Sequence, residues 1–282
     1  MQIERENRLK IIDDEPGFNY LKRMIRSSIG LDCASYRDKY LKRRINLKMK
    51  EKGYTSYARY GRTIKGDPQE FDELIKFITV NYTKFYRDRD VYNQFKDFVI
   101  PNTFEKKKTV RILSAGCSSG EEPYTIAILL KEYLDKHPGR HLVSITAVDI
   151  DDKCLANARA GEYPHESVAD LKNLYLKRYF EEEDGCYRIS DEIKKMVRFK
   201  HQDLTRKLNQ KYFDVILCRN VFIYFTNEAK AKIISNFYDA LNTGGYLILG
   251  KTEMMPAEVR DGFKVIDNRT KLYQKITRTL DS

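Results

Sequence analysis

The apolar positions of FNYLKRMIRSSIG, SYRDKYLKRRINLKMKEKG, TSYARYGRTIK and DPQEFDELIKFITV follow a helical pattern, so the first 80 residues predict helices only. Gly30, Gly53 and Gly66 stand as stop signals, and Asp67-Pro68 opens the last helix as cap and first residue. From about residue 109 the texture changes. Short β-rich runs (VRILS, LVSITAVDI, VRFKHQD, FDVILC, GGYLILG) alternate with helical stretches (EPYTIAILLKEYLDK, DKCLANARA, NEAKAKIISNFYDAL). That alternation predicts a largely parallel sheet flanked by helices. FKVI and KLYQKI, joined by DNRT, predict an antiparallel hairpin added to the sheet edge.

One segment departs from the alternation. Between the helix ending near Ala160 and the strand at 197, Asp184-Gly185 sits between β-formers and signals a hairpin turn. Residues 161–196 therefore predict either an inserted β-subdomain or a surface excursion without a role. The expected fold class is α/β, a doubly wound, mostly parallel sheet in residues 81–282, preceded by a small all-α domain in residues 1–80.

Composition narrows the classes. No apolar run approaches the roughly 20 residues of a membrane span and nothing resembles a signal sequence, so a soluble, intracellular chain is expected, taken further as a cytoplasmic monomer, a state to which no particular residues point. The five cysteines (33, 117, 154, 186, 218) form no CxxC pair and fit reduced thiols. His137 and His141 are four apart, but Pro138 and Gly139 break the helix a metal pair would use, so no metal is expected.

The net charge of +11 points to an acidic partner, and its location says more. Residues 1–80 hold 18 Lys and Arg against 12 Asp and Glu, and residues 36–52 hold 8 against 2, which is the whole excess. On a helix, Arg37, Arg44 and Lys48 share one stripe and Lys39, Arg43 and Lys50 another. Such a face suits the acidic side of a helical partner. A solvated helix without a partner, or one gripping nucleic-acid phosphate, would carry the same charges.

The candidate chemistry begins at AGCSSGEEPY, residues 115–124. A strand, glycines at 116 and 120 and a helix start form the strand-loop-helix of a nucleotide site, at the carboxyl end of the sheet where ligands bind. The loop lacks both GxGxxG and the P-loop lysine. Glu121 and Glu122 in the first helical turn would repel a pyrophosphate and welcome a cation. S-adenosylmethionine is such a ligand, with a sulfonium and an ammonium, a ribose diol and an adenine. Asp149, ending the second strand, is placed either to accept the ribose hydroxyls or to cap the next helix, a role that suits Asp151 better. Asn220, after FDVILC, can donate and accept against the amino-acid part of the cofactor. Cys218 ends an apolar strand with no adjacent histidine and reads as a core thiol.

Taken together, ITVNYTKFYRD, LSAGCSSGEEPYTIA, VDID, FDVILCRNVFIYF and NTGGYLILG resemble the chemotaxis receptor methyltransferases, the CheR family, over nearly the whole chain. The resemblance implies a Rossmann-like class I methyltransferase that moves a methyl group from S-adenosylmethionine to glutamate side chains on the cytoplasmic helical bundle of chemoreceptors, releasing S-adenosylhomocysteine. It also implies cofactor contacts at Asn81, Thr83, Arg87, Glu122, Asp149, Asp203, Leu204, Asn220 and Val221, to which the position of the loop after the first strand adds Gly116. The family often has Asn where Asp203 stands. The basic residues Arg37, Lys39, Arg43, Arg44, Lys48 and Lys50 become the expected receptor-binding surface.

A glutamate nucleophile is already ionised at neutral pH, so no general base is required and orientation is the task. Arg87 offers a planar fork for a carboxylate and Tyr224 a hydroxyl donor. The competing class is an RNA methyltransferase using the basic helix for phosphate, although CRNVFIY is not the Asn/Asp-Pro-Pro-aromatic sequence of many base N-methylating enzymes. A third class holds cofactor without transfer. Some family members dock a receptor-tail peptide through a Gly-x-Gly loop of the β-subdomain. This chain has Glu181-Glu182-Glu183-Asp184-Gly185 near that place, so no tether is expected.

Overall fold

The computed structural model describes residues 10–12, 14–79, 82–139 and 141–277, in two compact units. One unit comprises the described residues up to 79 together with 224–229, and the other comprises 82–223 with 230–277. Asn81, one of the expected cofactor contacts, lies outside the described residues.

In the first unit four helices form where the apolar pattern predicts them: α1 (Glu15–Ile29), α2 (Asp38–Glu51), α3 (Tyr57–Lys65) and α4 (Pro68–Thr79). Asp67 caps α4, its carboxylate accepting from the Glu70 N–H at 3.0 Å. The core is built from Phe18, Leu21 and Ile25 of α1, Leu41, Ile45 and Met49 of α2, Tyr57 and Tyr60 of α3, and Leu74 and Ile78 of α4. Burying such side chains is worth about 1.5–3 kcal/mol each before entropy is counted.

Packing of α2 corrects one expectation. Lys48 is buried beside Ile45 and Met49 and pairs with Glu73 at 2.9 Å, and Arg44 stacks on the Phe77 ring and donates to the Phe77 carbonyl. The stripe of Arg37, Arg44 and Lys48 therefore turns inward at its last two members, because both neighbour the apolar row of Leu41, Ile45 and Met49. Lys39 and Arg43 are exposed and Lys50 half-buried on the opposite side, around a groove that also includes Lys42, Asn46 and Leu47.

The second unit holds a seven-stranded sheet in the order β6-β2-β1-β7-β8-β10-β9. The strands are β1 (Thr109–Ala115), β2 (Leu142–Asp149), β6 (Val197–His201), β7 (Phe213–Cys218), β8 (Leu241–Leu249), β9 (Phe263–Asp267) and β10 (Leu272–Lys275). β6, β2, β1, β7 and β8 run parallel, and β10 and β9 add the expected antiparallel hairpin. The strand order reverses between β1 and β7, which fixes the ligand crevice at their carboxyl ends. Helices α5 (Arg89–Gln94) and α6 (Ile100–Phe104), joined through a π-turn at Phe95–Val99, carry no expectation from the sequence. α7 (Glu121–Lys136) and α8 (Asp152–Ala160) follow β1 and β2, and Asp151 caps α8 by accepting from the N–H groups of Lys153 and Cys154.

The inserted segment forms its own antiparallel sheet, β3 (Glu162–Pro164), β4 (Phe180–Glu183) and β5 (Cys186–Ile189), in the order β3-β5-β4. Asp184 and Gly185 both have positive φ, 50° and 74°, as a two-residue hairpin turn requires. Among the described residues no helix is long and apolar enough to cross a membrane.

Candidate cofactor and methyl-transfer site

The loop after β1 is drawn tight against β2. The N–H groups of Gly116 and Cys117 both donate to the Val148 carbonyl, at 2.8 and 3.0 Å. Gly116 has φ 75°, and a Cβ there would lie 2.5 Å from Cγ2 of Val221, which follows β7. Gly116 and Val221 thus meet across the crevice where the strand order reverses.

Asp149 stands at the end of β2 with one backbone donor on each carboxylate oxygen, the Ser118 N–H at 2.8 Å and the Asp151 N–H at 3.0 Å. No ion pair involves it among the described residues. Burial pushes its carboxyl above the usual range, against the pull of those N–H groups. Each oxygen keeps a lone pair, the requirement for holding a vicinal diol. β6 lies beside β2, and Asp203 follows it. Its Oδ1 accepts from the N–H and hydroxyl of Thr205, while Oδ2 is buried with no hydrogen-bond partner and has only Arg206 at 3.6 Å. A buried orphan acceptor calls for a donor, and an exocyclic amine of adenine supplies one. Leu204 beside it is buried. These residues fit a nucleoside.

The two glutamates divide. Glu121 is buried and accepts from the Ser119 hydroxyl at 2.8 Å. Glu122 is buried nearer the sheet, where the Ser114 hydroxyl donates to Oε1 at 2.8 Å and Arg219 to Oε2 at 3.3 Å. Burial raises the Glu122 carboxyl, and Arg219 and Ser114 pull it back. Glu122 is therefore a carboxylate with an internal counterion, whereas Glu121 is met by a hydroxyl.

Arg219 is a residue that local reading undervalued. Its guanidinium is buried and also donates to Asp88 Oδ2 at 2.6 Å, to the Arg87 carbonyl at 2.7 Å and to the Tyr92 hydroxyl at 3.1 Å. It ties the carboxyl end of β7 to the Arg87-Asp88 turn and to Glu122. Arg87 is half-buried, donates to the Tyr82 carbonyl at 2.8 Å and lies over the Tyr82 ring, and Thr83 is half-buried in the same segment. Asn220 has φ 60°, and its side chain makes no hydrogen bond among the described residues. Tyr224 belongs to the first unit, its ring 4.8 Å from that of Tyr40. Burial pushes the Cys218 thiol well above its ordinary value, in keeping with a core residue.

Family models and curated relatives match the chain along most of its length. Residues 81–272 match the family model described as the CheR methyltransferase, SAM binding domain, and residues 16–79 match the CheR methyltransferase, all-alpha domain. A chemotaxis protein methyltransferase of Listeria innocua is 34% identical, covering 92% of this chain and 97% of its own. One of Borreliella burgdorferi is 31% identical over 87% of this chain and 89% of its own, and chemotaxis protein methyltransferase 2 of Vibrio cholerae is 35% identical over 77% of each.

Proposed function

The chain belongs to the CheR methyltransferase family, an S-adenosylmethionine-dependent methyltransferase of the chemotaxis type, and from that premise we propose that its substrates are glutamate side chains of chemoreceptor cytoplasmic helices. The observation that carries this reading is the surface of α2. Lys39, Arg43 and Lys50 stand on one side of that helix with no ion-pair partner among the described residues, a complement to an acidic helix presenting several glutamates. The reading also takes the enzyme to be a cytoplasmic monomer.

In the site, Glu122 is assigned to the cofactor's ammonium, Asp149 to its ribose and Asp203 with Leu204 to its adenine. Asn220 and Val221 line the amino-acid part, with Gly116 keeping the loop close. Asn81 and Thr83 complete the set by family likeness. When bound, the cofactor supplies a methyl group on a positively charged sulfur. The chain's own residues then have three tasks. Arg219 holds a positive charge against Glu122, so that this carboxylate stays ionised for an ammonium. Arg87 offers a guanidinium fork to a carboxylate, the cofactor's own or the receptor glutamate's, and Tyr224 is assigned a hydroxyl hydrogen bond in orienting the reaction. The buried walls exclude water. No proton has to be removed from a glutamate that is ionised at neutral pH.

The acidic hairpin Glu181-Glu182-Glu183-Asp184 supports a further part of the proposal, that no receptor-tail peptide tethers the enzyme. A filter assay with tritiated cofactor tests the substrate class. Label is expected in receptor-containing membranes as base-labile esters and not in bulk RNA, and the reverse result would overturn the reading.

A further inference from the structure

The loop that carries Asn220 is held by a carboxylate from beyond the end of β8. Glu253 is 3% exposed and accepts from the backbone N–H groups of Phe222 at 2.6 Å, Gly250 at 2.7 Å and Asn220 at 3.1 Å. No ion pair involves it among the described residues, and burial raises its carboxyl despite these donors. A buried anion without a cation is costly, and the backbone N–H groups converging on it are what make it tolerable. Only a carboxylate offers two oxygens that both accept and neither donates.

Gly250 leaves room for this carboxylate against the Asn220 backbone because it carries no side chain. A Cβ on Gly250 would lie 2.6 Å from Glu253 Oε2 and 2.8 Å from the Asn220 nitrogen. Asn220 itself sits at φ 60°, a conformation that L residues adopt sparingly and that must be held by its surroundings. Glu253 grips the N–H groups on both sides of Val221, at Asn220 and Phe222, and so fixes this turn.

We propose that Glu253 is a positioning residue for the cofactor site, holding Asn220 in its left-handed turn so that the free Asn220 side chain faces the amino-acid part of the cofactor. It acts through Asn220 and touches no ligand. The inference rests on the assignment of Asn220 given above.

Hydrogen exchange on the ligand-free protein, together with calorimetry of S-adenosylhomocysteine binding, tests it. Glu253→Gln replaces one acceptor oxygen by an amide NH2 group, which donates and cannot accept. Exchange at the amides of Asn220, Phe222 and Gly250 is expected to accelerate, and the Kd for S-adenosylhomocysteine to rise about tenfold, the loss of roughly one hydrogen bond's worth of ordering. Asn220→Ala is expected to weaken binding by a similar factor, and the double variant to bind no more weakly than Asn220→Ala alone. Glu253→Asp keeps the carboxylate and is expected to fall between Gln and wild type; should the Gln variant not fold, Asp carries the same comparison. If the Glu253 variants alter exchange or stability while S-adenosylhomocysteine binds as in wild type, or if their losses add to that of Asn220→Ala, Glu253 is merely structural. If Asn220→Ala itself binds normally, the Asn220 assignment falls and this inference with it.

Discussion

Arg219 Nη1 donates to Glu122 Oε2 across 3.3 Å, and both side chains are buried. The same guanidinium serves Asp88 and the Arg87 carbonyl, so one cation at the end of β7 holds the first turn of α7 and the segment that carries Arg87. An ion group of this kind persists only while all its members do, because removing one leaves an uncompensated buried charge.

Arg219→Met is therefore expected to lower the unfolding free energy by about 3–5 kcal/mol, measured by urea titration. Arg219→Lys keeps the charge but not the fork that reaches Glu122, Asp88 and a carbonyl together, and should fall between Met and wild type. Equal stability of the Met variant and wild type would refute the role given to this cation.

Glu122→Gln removes the charge assigned to the cofactor's ammonium while leaving Arg219 paired with Asp88. A charged hydrogen bond is worth about 1.5–3 kcal/mol, so the Kd for S-adenosylhomocysteine should rise roughly 10- to 100-fold in calorimetry. Glu121→Gln, whose carboxylate is turned to Ser119, should change it far less.

What the sequence disclosed was local. The alternation of runs, the Asp184-Gly185 turn and Asp149 at a strand end are each fixed by residues within a few positions of one another. The roles of Arg219 and Glu253 are not legible, since the partners that define them lie 97 positions away at Glu122, 131 at Asp88 and, for Glu253, 33 at Asn220 and 31 at Phe222, with Gly250 alone close by. The helices between 89 and 104 leave no clear pattern in the sequence, because the π-turn at Phe95–Val99 breaks the 3.6-residue period. For α2, spacing alone gave two basic stripes, and the signal that separates them was present in Leu41, Ile45 and Met49, the apolar row that carries Arg44 and Lys48 inward.

Charge reversal on the outward stripe, Lys39→Glu with Arg43→Glu and Lys50→Glu, is expected to lower kcat/KM for receptor membranes at least tenfold and to leave S-adenosylhomocysteine binding unchanged. Lys48→Met should do the opposite, lowering the melting temperature through loss of the Glu73 pair without a specific effect on receptor KM. Wild-type receptor kinetics in the triple variant would remove α2 from the substrate surface.

The buried carboxylates set a pH dependence. Burial raises both Glu122 and Asp149, so each protonates above the ordinary carboxylate range. A raised folded-state value means that the unliganded fold gains stability from these groups at low pH and loses it as pH rises through that value. Ligand binding runs the other way, because an ammonium needs Glu122 ionised. The thermal shift produced by saturating S-adenosylhomocysteine is therefore expected to shrink as pH falls from neutrality towards the carboxylate range, and a shift that is flat across that window would contradict the assignment of Glu122.

The contact of Gly116 with Val221 separates steric from conformational strain. Gly116→Ala places a Cβ 2.5 Å from Val221 Cγ2, at a φ of 75° that disfavours any L side chain. Shortening the opposing residue in Gly116→Ala/Val221→Ala removes the collision and leaves the backbone term, about 1–2 kcal/mol for a left-handed residue. The double variant should therefore recover part of the stability lost by the single one, and stay below Val221→Ala alone by about that amount in urea unfolding. Because the two residues face each other where the strand order reverses, the relief should appear also in S-adenosylhomocysteine affinity, weaker in Gly116→Ala than in the double variant. If Val221→Ala gives no recovery in either measurement, Gly116 is required for its backbone conformation alone and the close approach of the β1 and β7 loops is incidental to the site.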